Sequence, residues 1–262
     1  MPRPIAATIH MGALRHNLQR MREAANGRTL WAVVKANAYG HGLLRAARAF
    51  EAADGLAMID LCDAQKVREQ GWKKRILLLE GFFDATDIPL LEKYDIETIV
   101  HNRLMIELLK AQAPYASLKV HIKINSGMNR LGFLPQEEEE IRAQLQTIEG
   151  VQVMGVVTHF ANAEPTYGHE RPATVSIQLN RMDKIQPMPK NLCMANSAAT
   201  LWQSDVKGDA VRAGVALYGV SPDSHYSSAD LNIRPAMTLS AKILAIQNVP
   251  SNRLRFSFRY PS

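Results

Sequence analysis

Cysteine is scarce: Cys62 and Cys193 are the only two in 262 residues. Two cysteines build no disulfide framework, and their separation is not a zinc-ligand spacing, which points to a reducing, cytoplasmic setting. HxxxH, HExxH and CxxC are all missing, so no metal centre is expected. No GxGxxG fingerprint or Walker loop opens a helix, which argues against nicotinamide and ATP. GxSxG is missing too, so a nucleophile-elbow hydrolase is unsupported. No apolar run approaches the roughly 18 residues of a membrane-spanning helix. The opening Met-Pro-Arg-Pro-Ile has no apolar signal core, so neither a membrane partner nor secretion is expected. Hydrophobic residues at 47% and charged residues at 21% are ordinary usage, which excludes disorder, collagen and coiled coil.

Acids are outnumbered, 25 Asp and Glu against 31 Lys and Arg, leaving +6. Half of that excess sits in the last eleven residues, Asn252 to Ser262, which hold Arg253, Arg255 and Arg259 and no acid. Elsewhere the basic residues are dispersed, with no zinc-finger or RNA-binding signature, so nucleic acid is not an expected partner.

Short β-rich runs alternate with amphipathic ones. Strands are predicted at Leu30–Val34, Gly55–Ile59, Ile76–Leu79, Thr98–Val100, Val120–Ile124, Val153–Val157, Leu192–Met194 and Ala210–Arg212. Helices are predicted at His16–Ala25, His41–Ala53, Asp60–Gln70, Asp87–Lys93, 103–112 capped by Asn102, Gln136–Leu145, Ser176–Lys184 and Ala198–Trp202. The acidic run Glu137–Glu140 reads as a solvated first turn. Eight βα units suggest a parallel sheet closed into a (β/α)8 TIM barrel over residues 11–230, although spacing alone leaves an open sheet possible. Ala6–His10 and Met237–Val249 read as strands outside that pattern. Residues 1–10 and 231–262 are thus expected to lie outside the barrel, as strands too few to build a β domain alone and an aberrant tail.

In a barrel the reactive groups gather at the C-terminal ends of the strands. Lys35 leaves the first strand in VVKANAYGHG, where partial desolvation would keep its amine nucleophilic, as an imine to an aldehyde cofactor requires. The alternative is a lysine snorkelling from a strand end. Tyr39 would reach a phosphate at the barrel mouth, or pack under a loop. Ser197 in MANSA and Gly214 in VRAGVALYG follow strands seven and eight, whose loops often bind phosphate; Ser197 would cap the helix there. Arg212 at its strand end needs an acceptor, either a ring nitrogen or a carboxylate. Lys123 and Arg130 add two cations to the same mouth, matched by an anionic ligand, a modified lysine or nearby carboxylates. His159 ends strand six and titrates near neutrality, or is structural.

These stretches resemble bacterial alanine racemase, a fold-type III pyridoxal-phosphate enzyme. The resemblance rests on VVKANAYGHG (33–42), LLEGFF (78–83), KINSGMNRLGF (123–133), THFANA (158–163), ANSAATLW (195–202), VRAGVALYG (211–219) and RPAMTLSAKI (234–243). It implies interconversion of L- and D-alanine through a pyridoxal 5'-phosphate aldimine on Lys35, with D-alanine supplied for peptidoglycan, and a homodimer. Tyr39, Ser197, Gly214 and Val215 would hold the phosphate, with Asn196 beside Ser197. Arg130 would donate to the cofactor's phenolic oxygen and meet substrate. Lys123, as a carbamate, would orient Arg130. His159 would orient Arg212, which would face the pyridine nitrogen. An arginine there keeps that nitrogen unprotonated and favours prompt reprotonation at Cα, hence racemisation over transamination.

The resemblance implies that the second base is a tyrosine from the C-terminal β domain of the partner subunit. The loosest match aligns Phe256 with it, and Phe has no ionisable hydroxyl; Tyr260 is nearby but out of position. The sequence thus reads as truncated in that domain. The alternative function is an inactive or one-base pyridoxal-phosphate barrel.

Overall fold

The computed structural model describes residues 4–165 and 171–248. A short strand β1 (Ile5–Ile9) leads into helix α1 (Met11–Ala25). Eight parallel strands then follow: β2 (Thr29–Val33), β3 (Gly55–Met58), β4 (Arg75–Leu78), β5 (Glu97–Val100), β6 (Leu118–Lys123), β7 (Val151–Val157), β8 (Leu192–Ala195) and β9 (Ala210–Ala213). They hydrogen-bond in chain order, and β2 pairs with β9 from Thr29–Ala210 to Ala32–Ala213. That last pairing closes a barrel and removes the open-sheet alternative.

The connecting elements are α2 (Lys35–Tyr39), α3 (Leu43–Ala49), α4 (Leu61–Glu69), α5 (Ile88–Lys93), α6 (Arg103–Gln112), α7 (Glu138–Gln146), α8 (Ala173–Met182) and α9 (Ser197–Trp202). Strand β10 (Met237–Ala241) pairs antiparallel with β1 outside the barrel. The alternation that predicts a strand to Val249 stops pairing early: Lys242 N–H bonds Pro4 O, and residues 242–248 carry no strand. A strand persists only where its backbone groups find a partner.

Alternation along each strand sorts the core. In β2, Trp31 and Val33 point into the barrel with Ala57, Leu77, Ile99, Val157 and Cys193, while Leu30 and Ala32 face the helices. Both faces are buried, which is why these strands read as continuous apolar runs. Gly55 has no substitute here, because a Cβ would meet the Trp31 ring at 2.4 Å. The barrel floor is polar. Arg75 grips Glu97 through Nε at 2.5 Å and Nη2 at 2.7 Å, and His121 Nε2 lies 2.7 Å from the same carboxylate. Burial pushes the Glu97 carboxyl up, but Arg75 and His121 outweigh it and hold the pKa at about 2.

Asn102 caps α6 as expected, its Oδ1 accepting from Met105 N–H at 2.9 Å. Helix α1 starts five residues before the predicted His16, on bonds to His10 O rather than on a side-chain cap, so no cap signalled it. Glu138–Glu140 form the first turn of α7 as expected, and Glu139 and Glu140 are exposed, but the run is not solvated throughout. Arg103 bonds Glu137 at 3.0 Å and Glu140 at 2.8 Å, and Glu138 is buried against Arg142. No helix among the described residues is long and apolar enough to cross a membrane.

Candidate active site

Lys35 follows β2 and opens α2, which is one turn of left-handed helix. Ala36, Asn37, Ala38 and Tyr39 all have φ between 51° and 56°. Such a conformation costs roughly 1–2 kcal/mol per L-residue, so the surroundings must enforce it. They do so closely. Asn37 Oδ1 accepts from Leu43 N–H at 2.8 Å, His41 Nδ1 lies 3.0 Å from Tyr39 O, and Gly40 ends the turn at φ 81°. The turn brings Tyr39 beside Lys35, whose Nζ is 5.9 Å from the ring centre.

A cavity of about 230 Å³ opens at the C-terminal ends of the strands. It is lined by Lys35, Tyr39, Lys123, Arg130, His159, Asn196, Ser197, Arg212, Gly214 and Val215, so every candidate named from the sequence meets there. Glu80, Glu164, Leu79, Leu131 and Pro222 also line it and were not anticipated. Glu80 lies within LLEGFF and Glu164 directly follows THFANA, so proximity to those motifs was the available signal.

One end of the cavity is built by β8 and β9. Ser197 does not cap α9 as predicted. Asn196 is the cap, accepting from Ala199 N–H at 3.0 Å, because it stands one residue outside the helix. That leaves the Ser197 hydroxyl to accept from Gly214 N–H at 2.8 Å. A Cβ on Gly214 would fall 2.6 Å from the Tyr39 hydroxyl. The missing side chain therefore keeps a small polar cradle open between Tyr39, Ser197 and Gly214.

Arg212 is buried and meets no carboxylate. Its Nη1 donates to Cys193 O at 2.8 Å and lies 2.9 Å from Cys193 Sγ; its Nη2 donates to Thr158 O at 2.6 Å and to His159 Nδ1 at 3.2 Å. Thr158 and Cys193 escaped the sequence reading because three of these four contacts use backbone or sulfur acceptors that no motif advertises. Thr158 is held in turn by Ser126 Oγ at 2.8 Å, and Gln178 Nε2 binds both Ser126 Oγ and His159 O.

The electrostatics follow from this crowding of cations. Burial, then Arg212, Lys123, Arg130 and Lys35, holds the His159 pKa down at about 2. His159 is therefore neutral, with Nδ1 free to accept from Arg212. Burial, then Arg212 and Arg130, lowers Lys123 to about 7, so much of its amine is uncharged at neutral pH. Burial also raises Tyr39, keeping its hydroxyl a donor. Among the described residues none of Lys35, Lys123, Arg130 and Arg212 forms an ion pair, although the carboxylates Glu80 and Glu164 line the same cavity. The cavity is set for an anionic ligand carrying an electrophile within reach of an amine.

Comparison with known proteins bears on the same residues. Residues 9–222 match the sequence profile of "Alanine racemase, N-terminal domain". A catabolic alanine racemase of Klebsiella aerogenes is 44% identical over 250 residues, covering 95% of this chain and 69% of that protein. The alanine racemase of Delftia acidovorans is 44% identical over 254 residues, covering 95% and 68%. The crystal structure of biosynthetic alanine racemase from Pseudomonas aeruginosa superposes with a TM-score of 0.85 at 34% identity, covering 91% of this chain and 66% of that one. The chain thus spans about two thirds of the length of these relatives.

Proposed function

The chain belongs to the alanine racemase family, and on that premise we propose that it holds pyridoxal 5'-phosphate on Lys35 and moves the α-proton of alanine. One observation carries the reading: a lysine, a hydroxyl-lined cradle and an arginine that makes no ion pair among the described residues share a single cavity. The donor set fits the cofactor. The cradle opened by Gly214 suits a phosphate, with Tyr39, Ser197 and the Gly214–Val215 backbone to hold it. Lys35 offers an amine to an aldehyde. Arg130 would meet the phenolic oxygen and the substrate carboxylate, and Asn196 would fix Ser197.

When bound, the cofactor takes up the electron pair left at Cα. The protein does the rest. Lys35 Nζ takes and returns the proton at Cα on one face. Arg212, oriented by Thr158 O, Cys193 O and His159, would deny a proton to a ring nitrogen facing it. Lys123, buried among cations and partly neutral, is suited to react with carbon dioxide; the resulting carbamate would carry the negative charge that Arg130 lacks. By the resemblance, the family's second base is a tyrosine from the C-terminal β domain of the partner subunit. Phe256 at the loosest match has no ionisable hydroxyl, so the second face would fall to water or another tyrosine, and that stretch lies outside the described residues.

We assign 11–230 to the cofactor-holding barrel and 1–10 with 231–262 to β-domain strands and tail. The two unpaired thiols, Cys62 exposed and Cys193 buried, suit the cytoplasm. Racemisation runs both ways, so one site serves D-alanine supply for peptidoglycan or D-alanine consumption. Complementation of a D-alanine auxotroph tests the supply role. The activity itself is tested by chiral chromatography of L-alanine incubated with the chain and pyridoxal phosphate. D-alanine should accumulate with the native chain and not with Lys35→Ala; no D-alanine from either counts against racemisation.

A further inference from the structure

The phosphate cradle and the lysine turn lie on opposite ends of the chain, yet one side chain bridges them. Gly214 leads directly into a 3-10 turn, Val215–Tyr218. From its end, Tyr218 reaches back under the cavity, and its Oη donates to Val33 O at 2.9 Å. Val33 is two residues before Lys35. The Tyr218 ring stacks on Tyr39 at 4.6 Å, on His41 at 4.7 Å and edge-on against Phe50 at 5.8 Å. It therefore touches both flanks of the left-handed turn, and it is 2% exposed and absent from the cavity wall.

We propose that Tyr218 is a positioning residue that couples occupation of the phosphate cradle to the alignment of Lys35. The inference rests on the reading of Lys35 as the cofactor lysine and adds to it a reason why the two halves of the site act together. Four consecutive left-handed residues do not hold themselves. Tyr218, which braces them together with His41, is anchored four residues from Gly214, so a shift at the cradle is transmitted to the carbonyl of Val33 and the ring of Tyr39. A core aromatic serving only as filler needs no hydroxyl. This one is buried with its hydroxyl spent on the strand that ends at the lysine. Burial raises its pKa well above the ordinary tyrosine value, which keeps the donor proton in place.

The test compares two aldehydes in the full chain. Pyridoxal phosphate or pyridoxal is added, the mixture is reduced with borohydride, and the Lys35 peptide is quantified by mass spectrometry over time. The native chain should label Lys35 faster with pyridoxal phosphate. Tyr218→Phe keeps the ring and loses one hydrogen bond, and should shrink the ratio of the two rates by roughly three- to tenfold. A merely structural role would slow both aldehydes alike, and an unchanged ratio overturns the inference. A second arm needs no variant: inorganic phosphate should speed pyridoxal capture at Lys35 in the native chain, and failure to do so overturns it even if Tyr218→Phe does not fold. A native chain that labels Lys35 with neither aldehyde overturns the functional reading and this inference together.

Discussion

His159 Nδ1 lies 3.2 Å from Arg212 Nη2, and neither residue touches a carboxylate among the described residues. The pair works only with a neutral histidine, because a protonated ring would aim an N–H at a guanidinium. Burial and four neighbouring cations enforce that state. Replacing Arg212 by Gln removes the second-largest cause after burial. The His159 pKa should then rise by about one unit or more while staying below the ordinary value. Histidine ring resonances followed by NMR against pH measure this; an unmoved His159 would contradict it.

Lys35 should be irreplaceable at the reacting centre. Lys35→Ala is expected to lose capture of the aldehyde and roughly a thousandfold or more of any α-proton exchange, with folding intact because Lys35 is only half-buried. Exchange rate and circular dichroism on the same sample check both halves.

Gly214→Ala tests the cradle. The new Cβ would stand 2.6 Å from the Tyr39 hydroxyl, which must then move away. Affinity for pyridoxal phosphate should fall about tenfold, the loss of a good hydrogen bond to a charged group, while affinity for pyridoxal changes little. Equilibrium titration by fluorescence reads both.

The barrel floor sets an acid limit. Glu97 has a folded pKa of about 2, below its unfolded value near 4.5. Its ionised form therefore stabilises the fold fully above about pH 4.5, and that stability drains away as pH falls toward 2. Glu97→Gln should be less stable at pH 7 and lose less on acidification. Thermal melts at pH 7, 4.5 and 3 give the comparison; parallel losses in both proteins would rule it out.

How much of this was legible beforehand depends on where the physics sits. The eight strands were readable because each is an apolar run with its own turn signals. Residues such as Lys35, His159 and Arg212 followed because barrels expose chemistry at strand ends, whereas Asn196 and Val215 were reached only through the family resemblance. Asn102 was readable as a cap from its position alone. The swap at 196–197 was not, since Asn and Ser are both good caps and only the helix start decides between them. The left-handed turn at 36–39 left little trace in sequence: Asn37 tolerates positive φ, but Ala36, Ala38 and Tyr39 carry no such signal, and the turn is held by Asn37, by His41 two residues on and by Tyr218 from far along the chain. Arg142, four residues after Glu138 on the same helix, was a legible partner, whereas the Arg103 bonds to Glu137 and Glu140 appear only once α6 and α7 are set side by side. Cys193 was weighed as a thiol, whereas its carbonyl and sulfur serve Arg212.

The most direct measurement follows deuterium. The chain is incubated with pyridoxal phosphate and D-alanine in heavy water, and the alanine is separated by chirality and weighed by mass spectrometry. Deuterated L-alanine is the predicted product, with Lys35 serving one face and water or another tyrosine, in place of the base that Phe256 cannot supply, serving the other. Deuterated D-alanine without inversion would mean that Lys35 works alone. A folded chain that leaves alanine of both hands unlabelled would contradict the account at its centre.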